Sequence, residues 1–146
     1  MKDELKETTD VVNESISEEI AIQDMERWLK SKRISAKKRE ANEDAEKIII
    51  GGIQDGRLIV NENNTITMKL IWPTGENGNG VNTMTFKNRI TVSDRNQANK
   101  GVKAGDGDGR VQGTIAVLTD QPIGVIKKLD AGEDYETASA IAVYFL

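Results

Sequence analysis

Few side chains in this sequence are equipped for acid–base or metal chemistry. Among 146 residues there is no histidine and no cysteine. That removes the commonest general base, the commonest zinc ligand and every thiolate site. It also removes disulfides, which fits a cytosolic setting. Carboxylates are plentiful, at 24 Asp and Glu. None forms a pair set against an apolar background, the arrangement that separates one carboxyl as acid from another as base. Nucleophile-elbow, metalloprotease-helix and Ser/Lys signatures are missing. The balance points away from an enzyme, and no metal or cofactor site is expected.

Three stretches come nearest to a site. Asp106-Gly107-Asp108-Gly109 has the look of a calcium loop, but its spacing fails. Arg110 and Val111 follow where a ligand and then a turn glycine are needed, and Val117 stands where the closing glutamate belongs. A plain flexible loop is the better reading. Gly75–Gly80 is rich in glycine, yet it has no Lys-Ser/Thr and opens no helical pattern, so it reads as a hairpin loop rather than a phosphate cradle. The third is Trp28 beside Lys30, Lys32, Arg33, Lys37, Lys38 and Arg39. A basic amphipathic segment of this kind could contact nucleic acid or a protein partner. Acidic runs on both sides would compete with phosphate for the cations, and the simpler reading is a helix whose tryptophan docks on the domain or a neighbour. The net charge of −4 argues weakly against bulk binding to nucleic acid or anionic membranes. No apolar run reaches the roughly 20 residues a membrane span needs. The first ten residues, MKDELKETTD, are acidic and lack the apolar core of a signal peptide.

The elements that must position these residues fall into two parts. Residues 1–46 read as a charged arm, partly helical, with Met1–Asn13 expected to be mobile. Ser15 or Ser17 can start a helix that carries Ala21, Met25, Trp28 and Leu29 on one face, with Ile20 and Ile22 on its flanks. A break is expected near Ser35, and Arg39 is placed to pair with Glu43 one turn on. Residues 47–146 read as a globular α+β domain. Ile48–Ile50 before Gly51–Gly52 looks like a short strand ending in a flexible joint, and Arg57–Val60 is a second apolar run. Asn61–Asn64 has turn chemistry. Thr65–Trp72 and Val81–Ile90 alternate as strands, with Pro73 stopping the first. Together they predict a small antiparallel sheet of three to four strands, burying Met68, Leu70, Met84 and Phe86. Thr91 or Ser93 opens a helix, Gly101–Gly109 is loop-like, and a cluster of short helices closes the chain from about Arg110. Its apolar residues Ile115, Leu118, Ile123, Ile126, Leu129, Tyr135, Ala138, Ile141, Ala142 and Phe145 recur at helical intervals. Asp120 or Thr119 is expected to cap a helix carrying Pro122 in its first turn, Gly132 to close a turn, and Asp134 to open the last helix.

From Arg57 to Leu146 this pattern resembles the small tail assembly chaperones of long-tailed bacteriophages. The likeness rests on a strand ended by Trp72-Pro73, on the second strand in MTFKNRITVSD, and on the closing IAVLTDQPIGVIKKLDAGEDYETASAIAVYFL. Ile115, Leu118, Thr119, Pro122, Ile126, Leu129, Asp130, Asp134, Ala138, Phe145 and Leu146 carry it. The arm departs from the family, whose members often begin at the hairpin. The resemblance implies a non-enzymatic protein that works in the host cell cytoplasm and does not stay in the mature virion. It would bind the long helical tape-measure protein and keep it soluble until tail-tube subunits polymerise around it. Self-association is left open. The residues expected to touch the partner are Tyr144, Phe145 and Leu146, with Met25 and Trp28 as a second surface; the plainer reading is that Phe145 and Leu146 plug the core. Two rivals stand beside it. One is a structural virion protein, a tail or head component, whose arm reaches a neighbouring subunit. The other is a regulatory protein binding nucleic acid through Lys30–Arg39.

Overall fold

A computed structural model describes residues 16–74 and 80–146. The expectations for Met1–Asn13 and for most of the glycine-rich loop, residues 75–79, lie outside these. Helix α1 spans Glu18–Ser31. The Ser17 hydroxyl accepts a hydrogen bond from the Ile20 amide at 3.3 Å, and Glu18 and Glu19 occupy the first turn, where the helix dipole favours anions. Its buried face is Ala21, Met25, Trp28 and Leu29, the stripe that the spacing predicts. Ser35 caps a short helix α2, Ala36–Ala41, accepting from Lys38 N at 3.1 Å, so the break falls where expected.

Helix α3, Glu43–Gln54, corrects one expectation. Ile48–Ile50 is not a strand, and Gly51–Gly52 is not a joint; both lie within this helix. Three consecutive isoleucines favour a strand locally, but Ala45, Ile49, Gly52 and Ile53 make a helical stripe that packs against α1 and β1. Gly52 lets the two elements close: a Cβ there would sit 2.8 Å from Leu58 Cδ1. The line drawn between residues 46 and 47 therefore falls inside α3, and the described part of the arm belongs to the core. Nor does Arg39 pair with Glu43. Its guanidinium bridges Glu26 and Glu46, with Nη1–Oε2 and Nη2–Oε1 distances of 2.9 Å respectively, tying α1, α2 and α3 together. The Glu26 carboxyl is held below its usual range chiefly by that hydrogen bond.

Strands β1 (Leu58–Val60), β2 (Ile66–Lys69) and β3 (Thr83–Phe86) form one antiparallel meander in that order. Leu58 pairs with Met68, Val60 with Ile66, Met68 with Met84 and Ile66 with Phe86. These side chains and Leu70 are buried on one face, as the alternation requires. Ile59, Thr67 and Thr85 face outward. The Asn61–Asn64 turn ends with Asn64 at φ 64°, a left-handed conformation asparagine tolerates.

After β3, Thr91 and Asp94 cap α4 (Val92–Ala98) with a full capping box. Asp106 then caps α5 (Gly107–Thr119), accepting from Gly109 N at 2.9 Å. The Asp-Gly-Asp-Gly run is thus the start of a helix rather than a loop. Asp120, at φ 52°, ends α5 and does not cap the next helix; α6 (Ile123–Ile126) follows Pro122 directly. Last come α7 (Glu133–Ala142) and a tight 3-10 turn, Val143–Phe145. Asp134 does more than open α7. It is 0% exposed, and its carboxylate accepts from the Ile71 and Trp72 amides at 2.9 Å each, pinning the end of β2 to the last helix. The architecture is α+β: a three-stranded sheet whose apolar face is covered by helices that precede and follow it in the chain.

Candidate partner-binding surfaces

The five residues expected to face a partner do come together, but four of them turn inward. Trp28 meets Tyr144 edge-on, with ring centroids 5.6 Å apart, and lies 6.2 Å from Phe145. Met25, Trp28, Tyr144 and Phe145 are all buried in one core. The physical reason is supply. Aromatics make up only 4% of the chain, and large rings give the most buried area per residue. The Tyr144 hydroxyl donates to the Asn42 carbonyl at 3.3 Å, and burial pushes its pKa up. Only Leu146, 45% exposed, stays at the surface. Phe145 is the plug that the plainer reading expects; Leu146 is not.

Two concave surfaces stand out among the described residues. The larger is an open cleft of about 810 Å³ between α4, the segment after it, α5 and α6. Ala98, Val102, Ala116, Val117, Pro122 and Ile123 give it an apolar floor. Its rim mixes Lys87, Lys100 and Lys127 with Asp94, Asp106, Asp108 and Asp120. Lys87 Nζ lies 3.0 Å from Asp120 Oδ1, joining the end of β3 to the end of α5. Asp94 is held below its usual pKa mainly by the hydrogen bond from the Thr91 backbone. Ile123, placed by spacing on the buried stripe, is 44% exposed here. No residue of this cleft was expected to touch a partner. The signal in the sequence was the small residues Gly109, Gly113 and Ala116 at spacings of four and three, a flank of α5 on which α4 packs closely at Gly113. Among the described residues no group of three or more Asp or Glu is arranged to hold a metal ion. The cleft sets an apolar floor inside a rim of both charge signs.

The second surface is a shallow groove of about 340 Å³ lined by Lys32 and Arg33 after α1, Lys38 on α2, Arg89 after β3, and Arg95 on α4. Tyr144 and Phe145 form its base. Lys32 Nζ sits 3.3 Å from the Phe145 ring centroid and donates to the Asn88 carbonyl at 2.8 Å. Burial, reinforced by the charges of Lys38 and Arg89, lowers the Lys32 pKa to about 8. Lys38 Nζ donates to the Tyr144 and Leu146 main-chain oxygens at 3.2 and 3.1 Å, and Arg95 to the Phe145 carbonyl at 3.3 Å. The basic run Lys30–Arg39 is therefore divided. Lys32, Arg33 and Lys38 enter the groove, whereas Arg39 turns to Glu26 and Glu46.

Comparison of the chain with protein-family models, curated proteins and solved structures gave no match.

Proposed function

We propose that this chain is a tail assembly chaperone that holds a helix of a tape-measure protein in the cleft between α4, α5 and α6, without cofactor or catalysis. The observation that carries this reading is the Ile115–Leu146 run. Its spacing resembles the ending of phage tail chaperones. Ile115, Leu118, Ile126, Leu129 and Ala138 from that run are buried and hold α5, α6 and α7 together. Ala116, Val117 and Ile123, from the same run, are left to floor the cleft. An amphipathic helix lays its apolar ridge into a groove of this kind, and a rim of both charge signs can meet its polar flanks. The net acidity of the chain would help such a complex stay soluble. The partner surface is thus moved from the buried Tyr144–Phe145 edge to the cleft.

Co-expression tests it. The soluble yield of the tape-measure protein is expected to rise with the intact chain and to fall back with Ile123→Glu, which puts a charge on the exposed floor and leaves the core untouched. An unchanged yield with the intact chain would remove the proposal. Mass spectrometry of purified particles separates it from the structural-virion reading, for which many copies per particle are expected.

A further inference from the structure

The basic groove is independent of the cleft and of the chaperone reading. Its five cations come from four separate segments: the end of α1, α2, the turn after β3, and α4. No side-chain carboxylate among the described residues lies within ion-pair distance of any of them. This is not a shortage of acid. Asp and Glu outnumber Lys and Arg by 24 to 20, and Arg39, one residue from Lys38, takes two carboxylates. Lys32, Lys38 and Arg95 bond main-chain oxygens, Lys38 reaching that of Leu146, the last residue of the sequence, and none of the three bonds a side-chain carboxylate. The side chains of Arg33 and Arg89 make no hydrogen bond or ion pair among the described residues.

The geometry points to a binding site for a compact polyphosphate group, the di- or triphosphate of a small molecule, held by Arg33, Arg89 and Arg95 with Lys32 and Lys38 behind them. Three guanidinium forks can each take two phosphoryl oxygens, and the two ammonium groups add point charge. A single carboxylate would leave most of the positive charge unanswered, whereas a triphosphate carries enough charge to match it. The lowered basicity of Lys32 comes first from burial and then from the charges of Lys38 and Arg89, with no side-chain carboxylate beside them. A bound polyanion would supply a counter-charge and raise the lysine's affinity for its proton.

The groove offers no free aromatic face. Lys32 covers the Phe145 ring, and Tyr144 is buried. Single-stranded nucleic acid binds by stacking bases on such faces, so recognition here rests on the phosphates alone. A long polyanion would also extend past the groove over a chain in which Asp and Glu outnumber Lys and Arg.

Isothermal titration calorimetry of the full chain at low ionic strength tests this with three probes: inorganic tripolyphosphate, ATP and a single-stranded oligonucleotide. Tripolyphosphate and ATP are expected to bind with similar affinity, and the oligonucleotide no more tightly. Arg33→Gln with Arg89→Gln should weaken both small ligands by about tenfold or more. Lys37→Gln with Lys47→Gln, the same change of charge outside the groove, should change affinity little, and a circular dichroism melt of each variant checks that it is folded. Absence of tripolyphosphate binding by the intact chain, or equal binding by the folded Arg33/Arg89 variant, would overturn the assignment. Tighter, groove-dependent binding of the oligonucleotide would replace the small ligand with nucleic acid.

Discussion

At Lys32 a single side chain connects core packing to surface charge. Its ammonium lies over Phe145 and against the Asn88 carbonyl, with cations of Lys38, Arg89, Arg33 and Arg95 around the same groove. The pKa falls from 10.5 to about 8 in the folded chain. Below pH 8 both folded and unfolded states hold the proton, and the fold bears the full cost of a charge that is buried and crowded by Lys38 and Arg89. Between about 8 and 10.5 the unfolded chain holds the proton and the folded chain has released it, so this residue makes stability rise with pH. The urea midpoint of the intact chain, relative to that of Lys32→Met, is therefore expected to climb across that window. Equal slopes for the two proteins would show that Lys32 carries no such penalty. Asp134 is the opposite case. It is buried, but its two oxygens each accept a main-chain amide, which is how a carboxylate can be kept out of water. A sequence reader sees a helix-opening aspartate; its partners lie on a strand far away in the chain.

Among the elements, α4 and α5 approach closely, and glycine allows it. A Cβ at Gly113 would overlap the backbone carbonyl of Ala98. Neither side of that contact is a flexible side-chain end, so the helices would have to separate. Gly113→Ala is expected to cost about 3 kcal/mol, at the upper end for overpacking, and to widen the cleft whose floor these helices share. Gly51 is the control. It lies inside α3 with nothing within 4 Å of where a Cβ would stand. Gly51→Ala should stabilise the chain by about 0.5–1 kcal/mol through helix propensity alone. Thermal denaturation of the two variants is expected to move the midpoint in opposite directions. A lower midpoint for Gly51→Ala would mean that α3 is not the helix described.

For the whole molecule, the decisive feature is that α1 and α2 are packed against the C-terminal turn. Trp28 of α1 is enclosed by Tyr144 and Phe145, and Lys38 of α2 holds the main-chain oxygens of Tyr144 and Leu146. α1 and α7 both pack on α3. Residues 47–146 alone would lose Met25, Trp28 and Leu29, and α3 would lose its first turn. Removing one buried tryptophan side chain costs about 3–5 kcal/mol, against a total stability of about 5–15 kcal/mol for a typical domain. The 47–146 fragment is therefore expected to show no cooperative unfolding transition in circular dichroism, while the full chain shows one. A cooperative melt of the fragment would restore the arm as a separate appendage.

The sequence by itself determined what depends on neighbours a few residues apart. A helix start at Ser15 or Ser17, a break near Ser35, the Ala21–Leu29 stripe, the alternation through Met68 and Met84, and the helical closing third all follow from local periodicity and hydrogen-bonding chemistry, which act before any tertiary contact forms. Tertiary structure decided the rest. Ile48–Ile50 is helical because α1 and β1 offer surfaces to both sides of a helix there, and a short apolar run cannot declare its own period. The aromatics expected at a surface are core because α1 and the C-terminal turn cover each other. The same closure gathers Lys32, Arg33, Lys38, Arg89 and Arg95 into one groove, since charges distant in sequence share a site only when packing between apolar faces brings their backbones together.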